Sequence, residues 1–150
     1  MAFRIDFDRD VDAPPSLVWG VVSDLAAYPQ WNPFVIACRS TLEPGEPIRM
    51  RVQLLPWIAQ EQAETVFEHL PGTRLCYGLA GDVTGAIRSR RCHELEPLDG
   101  GRTRYRSRFE LSGWMAPLVR MLLGRRLESG FRAMTDALVA RAEASAKKTS

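Results

Sequence analysis

The chain has 150 residues, of which 45% are hydrophobic and 25% charged. That is the composition and length of one soluble globular domain with a real core. A net charge of +2 is too small to imply a nucleic-acid partner. No apolar run approaches the roughly 18 residues needed to span a bilayer. The start, Met1 through Asp6, lacks the apolar core of a signal peptide. Three cysteines, Cys38, Cys76 and Cys92, are odd in number and widely spaced. They are expected to be reduced thiols, and the protein to be cytoplasmic.

Phe3, Ile5 and Phe7 alternate with Arg4, Asp6 and Asp8, the period of a half-buried strand. Pro14 and Pro15 end that ladder, and one of them suits the first turn of a helix running to about Ser23. Its expected buried face is Leu17, Val18, Val21 and Val22. Pro29 and Pro33 confine the next segment to a short turn, with Trp19 and Trp31 assigned to packing at the helix–sheet junction. Six strands are then predicted at 35–40, 48–54, 63–70, 74–79, 87–95 and 102–111. Pro44-Gly45, Pro71-Gly72, Gly81 to Gly85 and Asp99-Gly100-Gly101 separate them. Connections this short favour an antiparallel meander.

Beyond Trp114 the period becomes helical. Pro117 opens a long helix to about Ala142, with Leu127, Phe131, Met134 and Leu138 on one face. Gly124 and Gly130 are candidate kink positions, and residues 143–150 are expected to fray.

This order, with the 12–19 and 24–33 segments at its start, resembles the SRPBCC superfamily, also described as START-like or Bet v 1-like. The polyketide cyclase/dehydrase-type branch is the nearest likeness. Leu75-Cys76-Tyr77, His93-Glu94-Leu95-Glu96-Pro97 leading into Gly101-Arg102-Thr103, Leu111-Ser112-Gly113 and the long terminal helix fit the same pattern. The resemblance implies a single α+β domain over residues 1–150 with a helix-grip fold. A curved seven-stranded antiparallel sheet would wrap the C-terminal helix, with two short helices after the first strand and an apolar cavity between sheet and helix. It implies a hydrophobic or amphipathic ligand, lipid- or polyketide-like. Some members of the family are cyclases, aromatases or dehydratases, and others are co-chaperone-like or toxin-type interaction proteins.

Strand parity sets out candidate site residues. If Leu95 faces inward, so do Ile87, Ser89, Arg91 and His93, with Tyr105, Ser107, Phe109 and Leu111 on the partner strand. The candidate ligand contacts are therefore Arg91, His93, Tyr105 and Ser107, with Tyr77 and Phe131 expected on the apolar wall. His93, Tyr105 and Arg91 are also the candidates for catalysis, with His93 or Tyr105 moving a proton and Arg91 stabilising an enolate. Arg88, Arg90, Arg102, Arg104, Arg106 and Arg108 fall on the other face. Asp6, Asp8, Glu94 and Glu110 are expected to pair them there, which argues against nucleic-acid binding. Two histidines and no Cys-x-x-Cys leave zinc without ligands, and no dinucleotide fingerprint or P-loop is present. No metal or cofactor is expected.

Two apolar stretches remain. The run from Trp114 to Leu123 reads as the first turns of a buried helix, with a membrane-touching portal as the alternative. The cluster Leu54-Leu55-Pro56-Trp57-Ile58 reads as a hairpin tip, a second portal candidate or a homodimer contact.

Overall fold

In a computed structural model describing residues 2–149, nine alternating residues open the fold as β1 (Phe3–Val11). Pro15 then occupies the first position of α1 (Pro15–Ser23), where its missing N–H is no loss. A 3-10 turn (Leu25–Ala27) and a one-turn α2 (Tyr28–Trp31) follow. Six strands come next: β2 (Val35–Ser40), β3 (Pro47–Leu55), β4 (Ile58–Leu70), β5 (Arg74–Gly78), β6 (Arg88–Leu98) and β7 (Arg102–Ser112). α3 (Ala116–Thr149) closes the chain.

All seven strands form one antiparallel sheet in the order β1-β7-β6-β5-β4-β3-β2. Only β1 and β7 join out of sequence order, so the first strand lies beside the last. Register shifts in the β2–β3, β3–β4 and β4–β5 pairs bend this half of the sheet. Gly78 is needed at the end of β5, because a Cβ there would run into the Ser89 carbonyl. The helix-grip architecture is thus the one expected.

The alternation on β6 and β7 holds without a flip. Ser89, Arg91, His93 and Leu95 are buried on one strand, and Thr103, Tyr105, Ser107 and Leu111 on the other. Outside, Arg104 pairs with Asp10, Arg102 with Asp12, Arg106 with Glu96, and Arg108 with both Asp6 and Glu94. The arginine stripe is a laced, solvated face. Trp19 stacks on His69 at the end of β4, and Trp31 meets Tyr28 edge-on.

α3 divides into two halves. Phe131, Met134, Thr135, Leu138 and Ala142 are buried against the sheet and α1. Before Phe131, Ala116 is the one buried residue of the helix. The inward stripe of this stretch, Val119, Leu123 and Leu127, stands off the sheet and leaves a cavity.

Several expectations need correction. Residues 143–149 do not fray but continue α3 to Thr149; Ser150 lies outside the described residues. The helix runs through Gly124 and Gly130 as one element, and Gly130 serves close packing, because a Cβ there would enter the Phe34 ring. Cys76 and Cys92 are not free thiols. They lie directly opposite one another on β5 and β6, with Cα atoms 4.2 Å apart, and are joined in a disulfide. Cys38 alone is free, so cysteine usage gives no argument for a reducing compartment. The start of α3 is not a buried turn either. Trp114, Leu118, Met121 and Leu122 are all exposed.

Candidate functional site

The cavity measures about 240 Å³ and lies between the inner face of the sheet and the first half of α3. β3 supplies Met50, Val52 and Leu54, β7 supplies Phe109 and Leu111, and α3 supplies Val119, Leu123, Leu127 and Phe131 at intervals of one helical turn. Phe34 closes one side. Its position is set by Asn32, whose Oδ1 accepts the N–H groups of Phe34 and Val35 at 3.0 and 2.9 Å. The Phe34 ring then meets Phe131 edge-on, and Phe131 meets Phe109 at 4.6 Å. The walls are therefore aromatic and aliphatic groups. The polar lining is confined to Gln60, Gln62 and Glu64 of β4, Tyr77 of β5, and Ser89 and Arg91 of β6.

Arg91 is 3% exposed. Its guanidinium lies 4.8 Å over the Phe131 ring and donates from one terminal nitrogen to Ser107 Oγ and to the Arg108 carbonyl. The other terminal nitrogen reaches the Met134 sulfur at 3.7 Å, a weak acceptor, and Nε has no hydrogen-bond partner. Among the described residues no carboxylate forms an ion pair with it.

Beneath the cavity floor lies a closed polar chain. Tyr105 Oη and His93 Nδ1 are 2.6 Å apart, and His93 Nε2 and Tyr77 Oη 3.3 Å apart. Burial, helped by the charge of Arg91, holds the His93 pKa well below the usual histidine range, so the ring is neutral. A neutral imidazole donates at one nitrogen and accepts at the other, so it links the two hydroxyls. Burial likewise raises both phenols, against the opposing pull of Arg91.

The expected site residues therefore fall into two layers. Tyr77, Arg91 and Phe131 line the cavity, while His93, Tyr105 and Ser107 sit behind them, fully enclosed. The second layer holds the first in place: Ser107 on Arg91, and His93 with Tyr105 on Tyr77.

Glu64, Gln62 and Gln60 were missed by sequence reasoning. The signal was present, since Gln60, Gln62 and Glu64 alternate in phase with fully buried Val66. β4 begins five residues before the predicted start, at Ile58, so Gln60 and Gln62 fall outside the predicted strand, whereas Glu64 lies inside it. Gln62 donates to the Glu64 carboxylate. Even so, burial outweighs that bond and the Arg91 charge, and pushes the Glu64 pKa up to about 7. Burial, reinforced by Glu64, also pushes the Cys38 thiol up to about 12. No group of three or more metal-ligating side chains occurs among the described residues.

The β3–β4 hairpin, the β5–β6 loop and the start of α3 gather at one end of the sheet. Trp57, Ile58, Val83, Trp114, Leu118, Met121 and Leu122 are exposed there, with Trp57 75% exposed. Trp57 carries the Arg126 guanidinium at 5.9 Å, and the Trp114 indole donates to the Thr84 carbonyl. No helix among the described residues is long and apolar enough to cross a membrane.

A curved antiparallel sheet gripping a long C-terminal helix over a mostly apolar cavity defines a protein of the SRPBCC, or START-like, superfamily. Within it, the chain belongs to the polyketide cyclase/dehydrase and lipid transport family, whose model matches residues 2–143. Solved structures share the fold at low identity. The Zhui aromatase/cyclase of Streptomyces sp. R1128 superposes with a TM-score of 0.77 at 17% identity, covering 95% of this chain and 94% of that one. A START superfamily protein of Mycobacterium smegmatis gives 0.65 at 18% identity, covering 98% and 99%. TTHA0849 of Thermus thermophilus gives 0.72 at 17%, covering 95% and 99%. Among curated proteins, no sequence matches this chain.

Proposed function

We propose that this protein is a binding module for a hydrophobic or amphipathic small molecule, lipid- or polyketide-like, held between the sheet and α3. The observation that carries this reading is the cavity of about 240 Å³, apolar on all sides except for one polar group of residues on β4, β5 and β6. An apolar protein cavity of about 150 Å³ accepts benzene. The space here suits a bicyclic ring system or a short acyl chain. Apolar burial supplies most of the affinity, at about 25 cal/mol per Å². Tyr77, Arg91 and Phe131 touch the ligand; His93, Tyr105 and Ser107 position them.

Entry is through the apolar rim of Trp57, Trp114, Leu118 and Met121, which gives a brief membrane contact a physical basis. The test is native against denaturing mass spectrometry of protein purified from its own host. A ligand that appears only in the native spectrum supports the reading. A Leu127→Trp variant, which fills the cavity, should lose that ligand while keeping its far-UV circular dichroism. Retention of the ligand by this variant would place it elsewhere.

A second reading, turnover by a cyclase- or dehydratase-type enzyme, is favoured by one feature: the Tyr77–His93–Tyr105 chain reaches the cavity at Tyr77 beside Arg91. Tyr77 would pass a proton to or from the substrate while Arg91 stabilises an enolate. Unchanged ligand affinity in His93→Ala with a collapsed rate would support the enzyme, and no turnover of any bound polyketide would leave the carrier.

A further inference from the structure

Among the described residues, Glu64 and Arg91 are the sole carboxylate and the sole guanidinium lining the cavity. They come from different strands, β4 and β6, and make no ion pair with each other. Arg91 is a buried cation with an unpartnered Nε and, among the described residues, no anion in contact. Such a charge is rarely kept inside a protein without a counter-ion. Gln62 is the residue that bonds the Glu64 carboxyl, although Glu64 shares the cavity with that cation. A buried cation beside a half-satisfied acid is a place prepared for a ligand's negative charge.

We infer that the polar end of the cavity is a proton-linked receptor for an amphiphile with an acidic head, such as an aromatic or acyl carboxylate. Arg91 holds the anion, and Glu64 in its protonated form donates a hydrogen bond to it. Ionised Glu64 repels the same anion. Glu64 thereby sets specificity for charge, and anion binding carries a proton with it. This rests on the small-molecule reading above.

The surroundings support a single titration. Facing Glu64 are Cys38 of β2, Tyr77 of β5 and Arg91 of β6. Burial keeps the Cys38 thiol at about 12 and the Tyr77 phenol above its usual range, so neither ionises near neutrality. The lining from β3, β7 and α3 is uncharged. Glu64, titrating at about 7, is left as the group that changes charge.

The test uses two bicyclic probes of nearly equal shape. Naphthalene-2-sulfonate is a permanent anion, and naphthalene-2-sulfonamide is its neutral partner. Calorimetry on the purified protein should show sulfonate affinity falling about ten-fold between about pH 6 and about pH 8, following the fraction of protonated Glu64. Sulfonamide affinity should be flat. Titrations at about pH 8 in buffers of different ionisation heat should show uptake of roughly one proton per sulfonate bound. Glu64→Gln should bind sulfonate at every pH as tightly as the parent does at low pH. Arg91→Met should lose the preference for sulfonate.

A flat sulfonate profile, or a fall that survives in Glu64→Gln, overturns the inference. So does sulfonamide binding without sulfonate binding at about pH 6, which leaves the binding module standing. If neither probe binds the parent protein, the cavity reading itself fails and this inference with it.

Discussion

Glycine-to-alanine changes at two positions of α3 should have opposite signs, because the two glycines serve different purposes. In an exposed helix interior, alanine is favoured over glycine by about 1 kcal/mol. At Gly124 a Cβ would meet Arg120 Cγ at 3.6 Å and Phe3 Cζ at 3.7 Å, ordinary contact distances. Gly124→Ala should therefore collect most of the helix gain. At Gly130 the same Cβ would enter the Phe34 ring. That ring cannot swing aside freely. It is buried, edge-on to Phe131, and its backbone is pinned by Asn32. Overpacking of this kind costs about 1–3 kcal/mol, which exceeds the propensity gain over most of its range. The difference between the two variants cancels propensity and isolates the clash, at about 1–3 kcal/mol. For a chain of this size each kcal/mol shifts Tm by about 2–4 °C. Urea denaturation followed by circular dichroism, with melting curves alongside, reads both. Equal shifts of the same sign in the two variants would refute the account of Gly130 as a packing contact. Because Phe34 is a cavity wall, Gly130→Ala should also weaken binding of naphthalene-2-sulfonamide, and Gly124→Ala should not.

Further outcomes concern the site and its supports. Reducing the Cys76–Cys92 bond, which spans 16 residues, should lower stability by about 3 kcal/mol, read by denaturation with and without dithiothreitol. Thiol titration of the unfolded, unreduced chain should find Cys38 alone. Tyr105→Phe leaves His93 Nδ1 without its partner and should cost about 1–3 kcal/mol, while the smaller loss at Tyr77→Phe reflects its longer contact. His93 is held neutral in the fold but takes a proton when unfolded near its usual pKa. Stability should therefore fall as pH drops below about 6.5, by up to about 1.4 kcal/mol per pH unit. Glu64 acts in the opposite sense. Its folded pKa of about 7 lies above the unfolded value of 4.5, so the folded state holds the extra proton between them and loses stability as pH rises through that window. Glu64→Gln should flatten this fall, so the stability gap between variant and parent widens from about pH 5 to about pH 8. Trp57→Ser and Trp114→Ser should each reduce co-sedimentation with vesicles containing anionic lipid, if the rim is the entry. Unchanged sedimentation would remove the membrane from the loading step.

Much of this molecule was legible from local chemistry. Alternating Phe3, Ile5 and Phe7, the Pro14-Pro15 helix start, and Asp99-Gly100-Gly101 as a hairpin each encode their element through rules that act over a few residues. The inward parity of Arg91, His93, Tyr105 and Ser107 was legible for the same reason: a strand has period two, and burial follows from it. Depth and distance could not be read this way. Parity puts Arg91 and His93 on one face. Only packing decides that Arg91 borders a cavity while His93 lies sealed beneath Tyr77. Cys76 and Cys92 are sixteen residues apart in the chain, and the register of β5 on β6 alone makes them opposite neighbours. The first half of α3 looked like core because it is apolar. It stands off the sheet, which turns one stripe into a cavity wall and another into exposed surface. Glu64 was hidden by its own charge, an acid on a strand reading by default as solvent-facing. The container is written in the order of the residues, because strands, turns and helices are set by neighbours along the chain. Which groups meet inside it, and with what ionisation, emerges only when the chain is packed, because desolvation and charge proximity depend on distances in space that no local pattern carries.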